Sequence, residues 1–202
     1  MSGIDELISN SLTNVIKKNL ESNIEKKVKL SLFKKYGMSL NPAINDFSIV
    51  DEVLNEFLKT DTLSFEKKCL VEIFTLKKLK DSYLVTIKDE SLVNLIVEIL
   101  GDKEYRMIIE STLFKPLLIT EIIDVCKLPK TSAYRKINYL LRNGFLTGAG
   151  KEFTAKRRSV EKLSTIFQKI NFELDKNQKV IKLVVFESII KHSSTIKVIL
   201  GL

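Results

Sequence analysis

The chain has 202 residues, 45% of them hydrophobic and 29% charged, which is a globular composition sized for one or two domains. No apolar run approaches the ~18 residues of a membrane span, and the acidic start MSGIDELISNSL lacks the basic and apolar regions of a signal peptide, so a cytoplasmic protein with no membrane partner is expected. The net charge of +8 is unevenly placed: residues 103–162 hold thirteen Lys and Arg against six Asp and Glu, a local +7, whereas residues 1–102 stand at −2.

The first hundred residues read as mostly helical. Ser11–Leu20 places Leu12, Val15, Ile16 and Leu20 on one face, and Ile24–Tyr36 does the same with Ile24, Val28, Leu32 and Phe33. Gly37 supplies a left-handed stop. Asn45 or Asp46 is placed to cap a helix carrying Phe47, Val50, Val53, Leu54 and Phe57. Phe65–Leu79 is a fourth expected helix, Tyr83–Ile87 a short β-like run, and Glu90–Leu100 a further helix stopped by Gly101. Helices with short connections predict a small bundle over residues 1–101, suited to sensing or dimerisation, with a boundary at Gly101–Asp102.

The basic segment is more regular. Lys103–Phe114 reads as a helix, ended by Lys115–Pro116 because the residue before proline avoids the helical region. Leu117–Ile119 is short and extended, and Thr120 is expected to cap a second helix buried through Ile122, Ile123, Val125 and Cys126. Leu128-Pro129-Lys130 makes a turn, and Thr131 or Ser132 caps a third helix, Ser132–Asn143, ended by Gly144. In that helix Ala133, Ile137, Leu140 and Leu141 share one side. Ser132, Arg135, Asn138, Tyr139 and Arg142 share the other, with Lys136 and Asn143 at its edge. No Asp or Glu occurs between Asp124 and Glu152, unlike an ordinary surface helix, which mixes both signs. Phe145-Leu146-Thr147 and Glu152-Phe153-Thr154-Ala155 around Gly148–Lys151 predict a hairpin, followed by Lys156-Arg157-Arg158.

The stretch ITEIIDVCKLPKTSAYRKINYLLRNGFLTGAG resembles the winged helix–turn–helix transcription regulators of archaea and bacteria, including ArsR-like domains. It does so through Thr120–Ile123, the turn at Leu128–Lys130, Ser132 followed by Tyr134-Arg135-Lys136, and the spacing of Ile137, Leu140, Leu141 and Gly144–Leu146. The chain as a whole resembles small archaeal regulators that join a helical output module to such a domain. The resemblance implies a DNA-binding domain over 102–165, with 132–143 as recognition helix in the major groove and 146–158 as a short basic wing. It implies Arg135 as base reader, because Arg reaches guanine O6 and N7 bidentately. Lys130, Thr131, Ser132 and Lys136 suit phosphates near the helix start, and Asn138, Tyr139 and Arg142 are secondary contacts. Lys151, Lys156, Arg157 and Arg158 would hold phosphates from the wing. Double-stranded DNA is the implied partner and a homodimer the implied assembly. The competing reading is a winged-helix protein–protein module that does not bind DNA.

Ile170–Leu174 and Val180–Phe186 flank Asp175–Gln178 as a hairpin, which either extends the sheet, pairs with another subunit or simply enlarges the core. Ser159–Gln168 suits helix or strand, and Glu187–Leu202 is weakly helical. The expected class is therefore mainly α (α+β), with residues 166–202 as a C-terminal extension. Cys69 and Cys126 read as buried free thiols, and His192 has no acid or cysteine near it in sequence. Gly148-Ala149-Gly150-Lys151 lacks the leading Gly and trailing Ser or Thr of a phosphate loop. No catalytic, cofactor-binding or metal-ligand motif is present, so a non-enzymatic role without cofactor is expected.

Overall fold

The computed structural model describes residues 3–153, 159–174 and 179–201. The chain is α+β with antiparallel sheets. Helix α1 (Gly3–Asn19) starts eight residues before the expected Ser11. Ile4, Leu7, Ile8, Leu12, Val15 and Ile16 form its buried stripe. Helix α2 (Ser22–Tyr36) ends at Gly37, whose φ of 66° is the left-handed value that glycine takes without strain. A short α3 (Leu40–Ala43) and a 3₁₀ turn at 44–46 lead to α4 (Phe47–Leu58). Asp46 flanks α4, but its carboxylate accepts from the Ser48 hydroxyl, and the Phe47 N–H donates to Ser194 Oγ at 2.9 Å.

Helix α5 (Thr62–Ile73) is shorter than the expected Phe65–Leu79. The last residues of that expected helix become strand β1 (Phe74–Lys78), paired antiparallel to β2 (Ser82–Ile87). The i,i+3/i+4 spacing of Leu70, Ile73, Phe74 and Lys77 is helical, but pairing with β2 overrides it. The expected helical segment 1–101 thus contributes two strands as well as helices, ending with α6 (Glu90–Gly101), capped by Asp89, whose carboxylate accepts from the Leu92 N–H at 2.8 Å.

Next come α7 (Lys103–Thr112), α8 (Ile119–Cys126), α9 (Lys130–Arg142), β3 (Leu146–Phe153) and β4 (Ser159–Thr165). Strands β5 (Phe167–Leu174) and β6 (Lys179–Phe186) form the expected hairpin, followed by α10 (Glu187–His192) and α11 (Ser194–Leu200). The ambiguous stretch after Ser159 is strand. The larger sheet runs β1-β2-β6-β5, so the C-terminal hairpin docks onto the hairpin of the first hundred residues, with Leu84 opposite Val184.

Buried side chains from Ile4 to Ile199 make one continuous core. Two contacts tie its ends together. Asp5, 1% exposed, accepts hydrogen bonds from Ser193 Oγ at 2.5 Å and the Ser194 N–H at 2.8 Å, so the first helix serves the start of the last. Gly144, with φ of 69°, lies against the backbone of Gly3 and Leu7, where a Cβ would collide with both. Both cysteines are free and buried, and burial pushes the Cys69 thiol up to about 12. Among the described residues no helix is long and apolar enough to cross a membrane, and no cluster of His, Cys, Asp and Glu could hold a metal.

Candidate nucleic-acid interface

Three helices and a hairpin set the geometry around α9. Leu118, not Thr120, flanks α8: the Glu121 carboxylate reaches back to accept from the Leu118 N–H at 2.7 Å, and Thr120 lies in the first turn. Lys127 takes a φ of 51° at the end of α8, and Leu128-Pro129 turn the chain into α9, which starts at Lys130 rather than Ser132. Proline suits this junction because it has no N–H to leave unpaired at a helix start. Ala133, Ile137 and Leu140, each 0% exposed, anchor α9 to the core.

The outward face of α9 carries Thr131, Arg135 and Asn138, continued by the exposed Arg142. Their spacing of four, three and four residues aligns them along one stripe of the helix. Lys130 is exposed at the first turn, Tyr134 stands 43% exposed beside the stripe, and Tyr139 is 36% exposed on its other flank. No carboxylate originates on α9 itself.

Lys136 departs from the expectation of a free phosphate contact. It is 8% exposed, its ammonium 2.8 Å from Asp102 Oδ2 and 3.5 Å from Glu104 Oε2, and it lies 4.0 Å from the centre of the Tyr105 ring. Burial opposes its charge, but the hydrogen bond to Asp102 and the acids around it outweigh that and hold it above the ordinary lysine value. Lys136 in turn holds Asp102 below the usual carboxylate range, assisted by the Tyr105 N–H that Asp102 caps. Ser132 is spent in the same cluster: its hydroxyl donates to Glu104 Oε2 at 3.2 Å. Tyr139 stacks on Tyr105 with ring centres 5.5 Å apart. Lys136 and Ser132 therefore fasten α9 to the start of α7, and the cations of the helix left for a partner are Lys130, Arg135 and Arg142. Arg142 also borders a cavity of about 570 Å³ with Glu6 and Glu161, which dilutes its charge for a polyanion. Both Glu6 oxygens are buried without a hydrogen-bond partner among the described residues, and burial raises its pKa.

The hairpin is longer than expected. Gly148–Lys151 is not its turn but the place where the β3–β4 register shifts, and β3 continues to Phe153. Leu117 exchanges backbone hydrogen bonds of 2.9 and 2.8 Å with Leu163, adding a one-residue third strand. Lys151 is exposed within β3 opposite Glu161, and Glu152 pairs with Lys162 at 2.7 Å. The hairpin thus carries acids that α9 lacks. Lys156, Arg157 and Arg158 lie outside the described residues. No family model, curated protein or solved structure matches the chain.

Two features are not anticipated from the sequence. Lys127 is an exposed cation at the turn before α9, marked only by its place before Leu128-Pro129. Phe153 is 74% exposed at the end of β3, and nothing in the local pattern separates it from a core residue. His192 is exposed, its Nδ1 2.6 Å from the Ser188 carbonyl oxygen.

Proposed function

We propose that residues 102–165 form a winged helix–turn–helix that binds double-stranded DNA, and that the protein is a sequence-specific transcription regulator. In this reading α9 lies in the major groove and the β3–β4 hairpin is the wing along the backbone. The observation that carries it is the acid-free outward stripe Thr131–Arg135–Asn138–Arg142, on a helix anchored to the core by Ala133, Ile137 and Leu140. Arg135 occupies the middle of that stripe and is assigned to base reading. Lys130, Thr131, Asn138, Tyr139, Arg142 and Lys151 are assigned to phosphates and flanking contacts, joined by Lys127. Lys156–Arg158 supply wing charge by sequence. Lys136 and Ser132 are withdrawn from the contact set and given the task of orienting α9.

A protein-binding winged helix is the competing reading, and the exposed Phe153 and the acids Glu152 and Glu161 on the hairpin favour it. Titration of the full-length protein into mixed genomic duplex fragments at two salt concentrations separates the two. DNA binding predicts a log–log salt slope of about −0.9 per phosphate contacted, and retention of a subset of fragments. No shift at low salt defeats the proposal. On a selected site, Arg135→Ala is expected to cost roughly 1–3 kcal/mol and to relax preference at one base pair. Equal losses on all sequences would instead make Arg135 a phosphate contact.

A further inference from the structure

Strand β5 closes one side of the four-stranded sheet, and among the described residues its outer edge has no hydrogen-bonded strand. The opposite edge, β1, ends in Lys77 and Lys78, cations of the kind that keep sheet edges apart. Edge β5 is different. Ile170, Phe172 and Leu174 share the face that Leu183 and Ile181 bury on β6, yet Phe172 is 46% and Leu174 67% exposed. The apolar stripe of the core face therefore runs past the helices that cover it and out to solvent.

The sequence of this edge is complementary to itself. When two copies of β5 are laid antiparallel about Asn171, Ile170 falls opposite Phe172 of the second copy, and Lys169 falls opposite its Glu173. Each match occurs twice by symmetry. Directly opposed residues share a sheet face, so the apolar pairs lie on the core side and the charged pairs on the outer side. Among the described residues Lys169 has no ion-pair partner, while Glu173 is held on the outer face by Lys182 at 2.7 Å. The irregularity in the β5–β6 register lies between Phe167 and Lys169, so residues 169–173 are regular strand. The same alignment sets Leu174 of the second copy opposite Gln168. There an apolar cleft of about 400 Å³ opens between β5 and α7, lined by Leu100, Ile109, Leu113 and Ile170.

We propose that the β5 edge is a homodimer interface, in which two chains join their sheets antiparallel about Asn171 into one eight-stranded sheet. The occupant is a second copy because the edge matches its own charge and apolar pattern in one register. The pairing requires no DNA and stands apart from the DNA-binding reading.

Sedimentation or light scattering of the full-length protein without DNA, across micromolar concentrations, is expected to give twice the 23.1 kDa chain mass. Lys169→Glu opposes carboxylates in both charged pairs and is expected to weaken the dimer at least about tenfold. Phe172→Glu is expected to weaken it further. Asn171→Cys tests the register, because directly opposed Cα atoms lie within disulfide reach. With Cys69 and Cys126 buried, mild oxidation is expected to cross-link this variant into a covalent dimer. A chain monomeric throughout, with no cross-link through position 171, overturns the proposal. So does a dimer that is indifferent to Lys169→Glu and Phe172→Glu and in which the Asn171→Cys variant keeps its new thiol reduced, since that dimer would use another surface.

Discussion

Glu66 shows how one side chain can set a pH response for the whole fold. It is 1% exposed on α5, beside the Asp51 carboxylate. Burial, then the neighbouring Asp51 carboxylate, pushes its pKa up to about 8. The folded chain therefore holds a proton on Glu66 that the unfolded chain releases near pH 4.5. Its contribution to stability is full below that pH and declines as pH rises towards 8, by up to about 1.4 kcal/mol per pH unit. Glu66→Gln is expected to flatten this decline, measured as the midpoint of urea unfolding between about pH 5 and 8.5. A variant as pH-sensitive as the parent would place the titration elsewhere. Lys136 teaches a related lesson at the interface. From sequence it stands at the edge of a basic face, because helical spacing fixes its angle. What consumes it is Asp102, thirty-four residues earlier, and no local pattern reveals that contact. Lys136→Met is accordingly expected to lower thermal stability while leaving base preference on a selected site unchanged. A change of preference at a single base pair would return Lys136 to the contact set.

At the scale of elements, the helices are legible wherever an apolar 3.6-residue stripe meets a strong terminator, as in α2 with Gly37 and α9 with Ala133, Ile137, Leu140 and Gly144. The β5–β6 hairpin is legible from the alternation of Ile170, Phe172 and Leu174. Strand β1 is not, because its residues continue the helical stripe of α5 and become strand only through β2, which itself leans on β6 far along the chain. The hairpin of the candidate interface misleads for a different reason: Gly148 and Gly150 look like a turn, yet they serve a register shift inside a longer strand. The outward stripe of α9 is readable because it depends only on helix geometry; the tethering of Ser132 and Lys136 is not. Gly144 joins this element level to function. It terminates α9 in the left-handed region and lets α1 approach within backbone contact. Gly144→Ala is expected to destabilise the protein by about 1–3 kcal/mol, because strain at positive φ adds to a backbone collision that no side-chain rotation relieves. Chemical denaturation checks this, and a loss below about 0.5 kcal/mol would mean that α1 shifts away freely.

For the whole molecule, the arrangement of strands argues against two independently folding halves. The larger sheet draws β1 and β2 from residues 74–87 and β5 and β6 from residues 167–186, with the candidate DNA-binding segment inserted between them. Asp5 caps the last helix, Gly144 packs on the first, and buried side chains form one core from Ile4 to Ile199. Opening the middle segment therefore strips Gly3 and Leu7 of their neighbour, and opening either end removes half of the sheet. A chain wired this way is expected to unfold in one cooperative step, with calorimetric and van't Hoff enthalpies equal and far- and near-ultraviolet circular dichroism changing together. Two separated transitions would instead show that the segment around α9 melts by itself. The distinction bears on regulation: in a single cooperative unit, a ligand or partner that stabilises the helices of the first hundred residues also steadies α9, whereas independent halves would need a separate coupling surface.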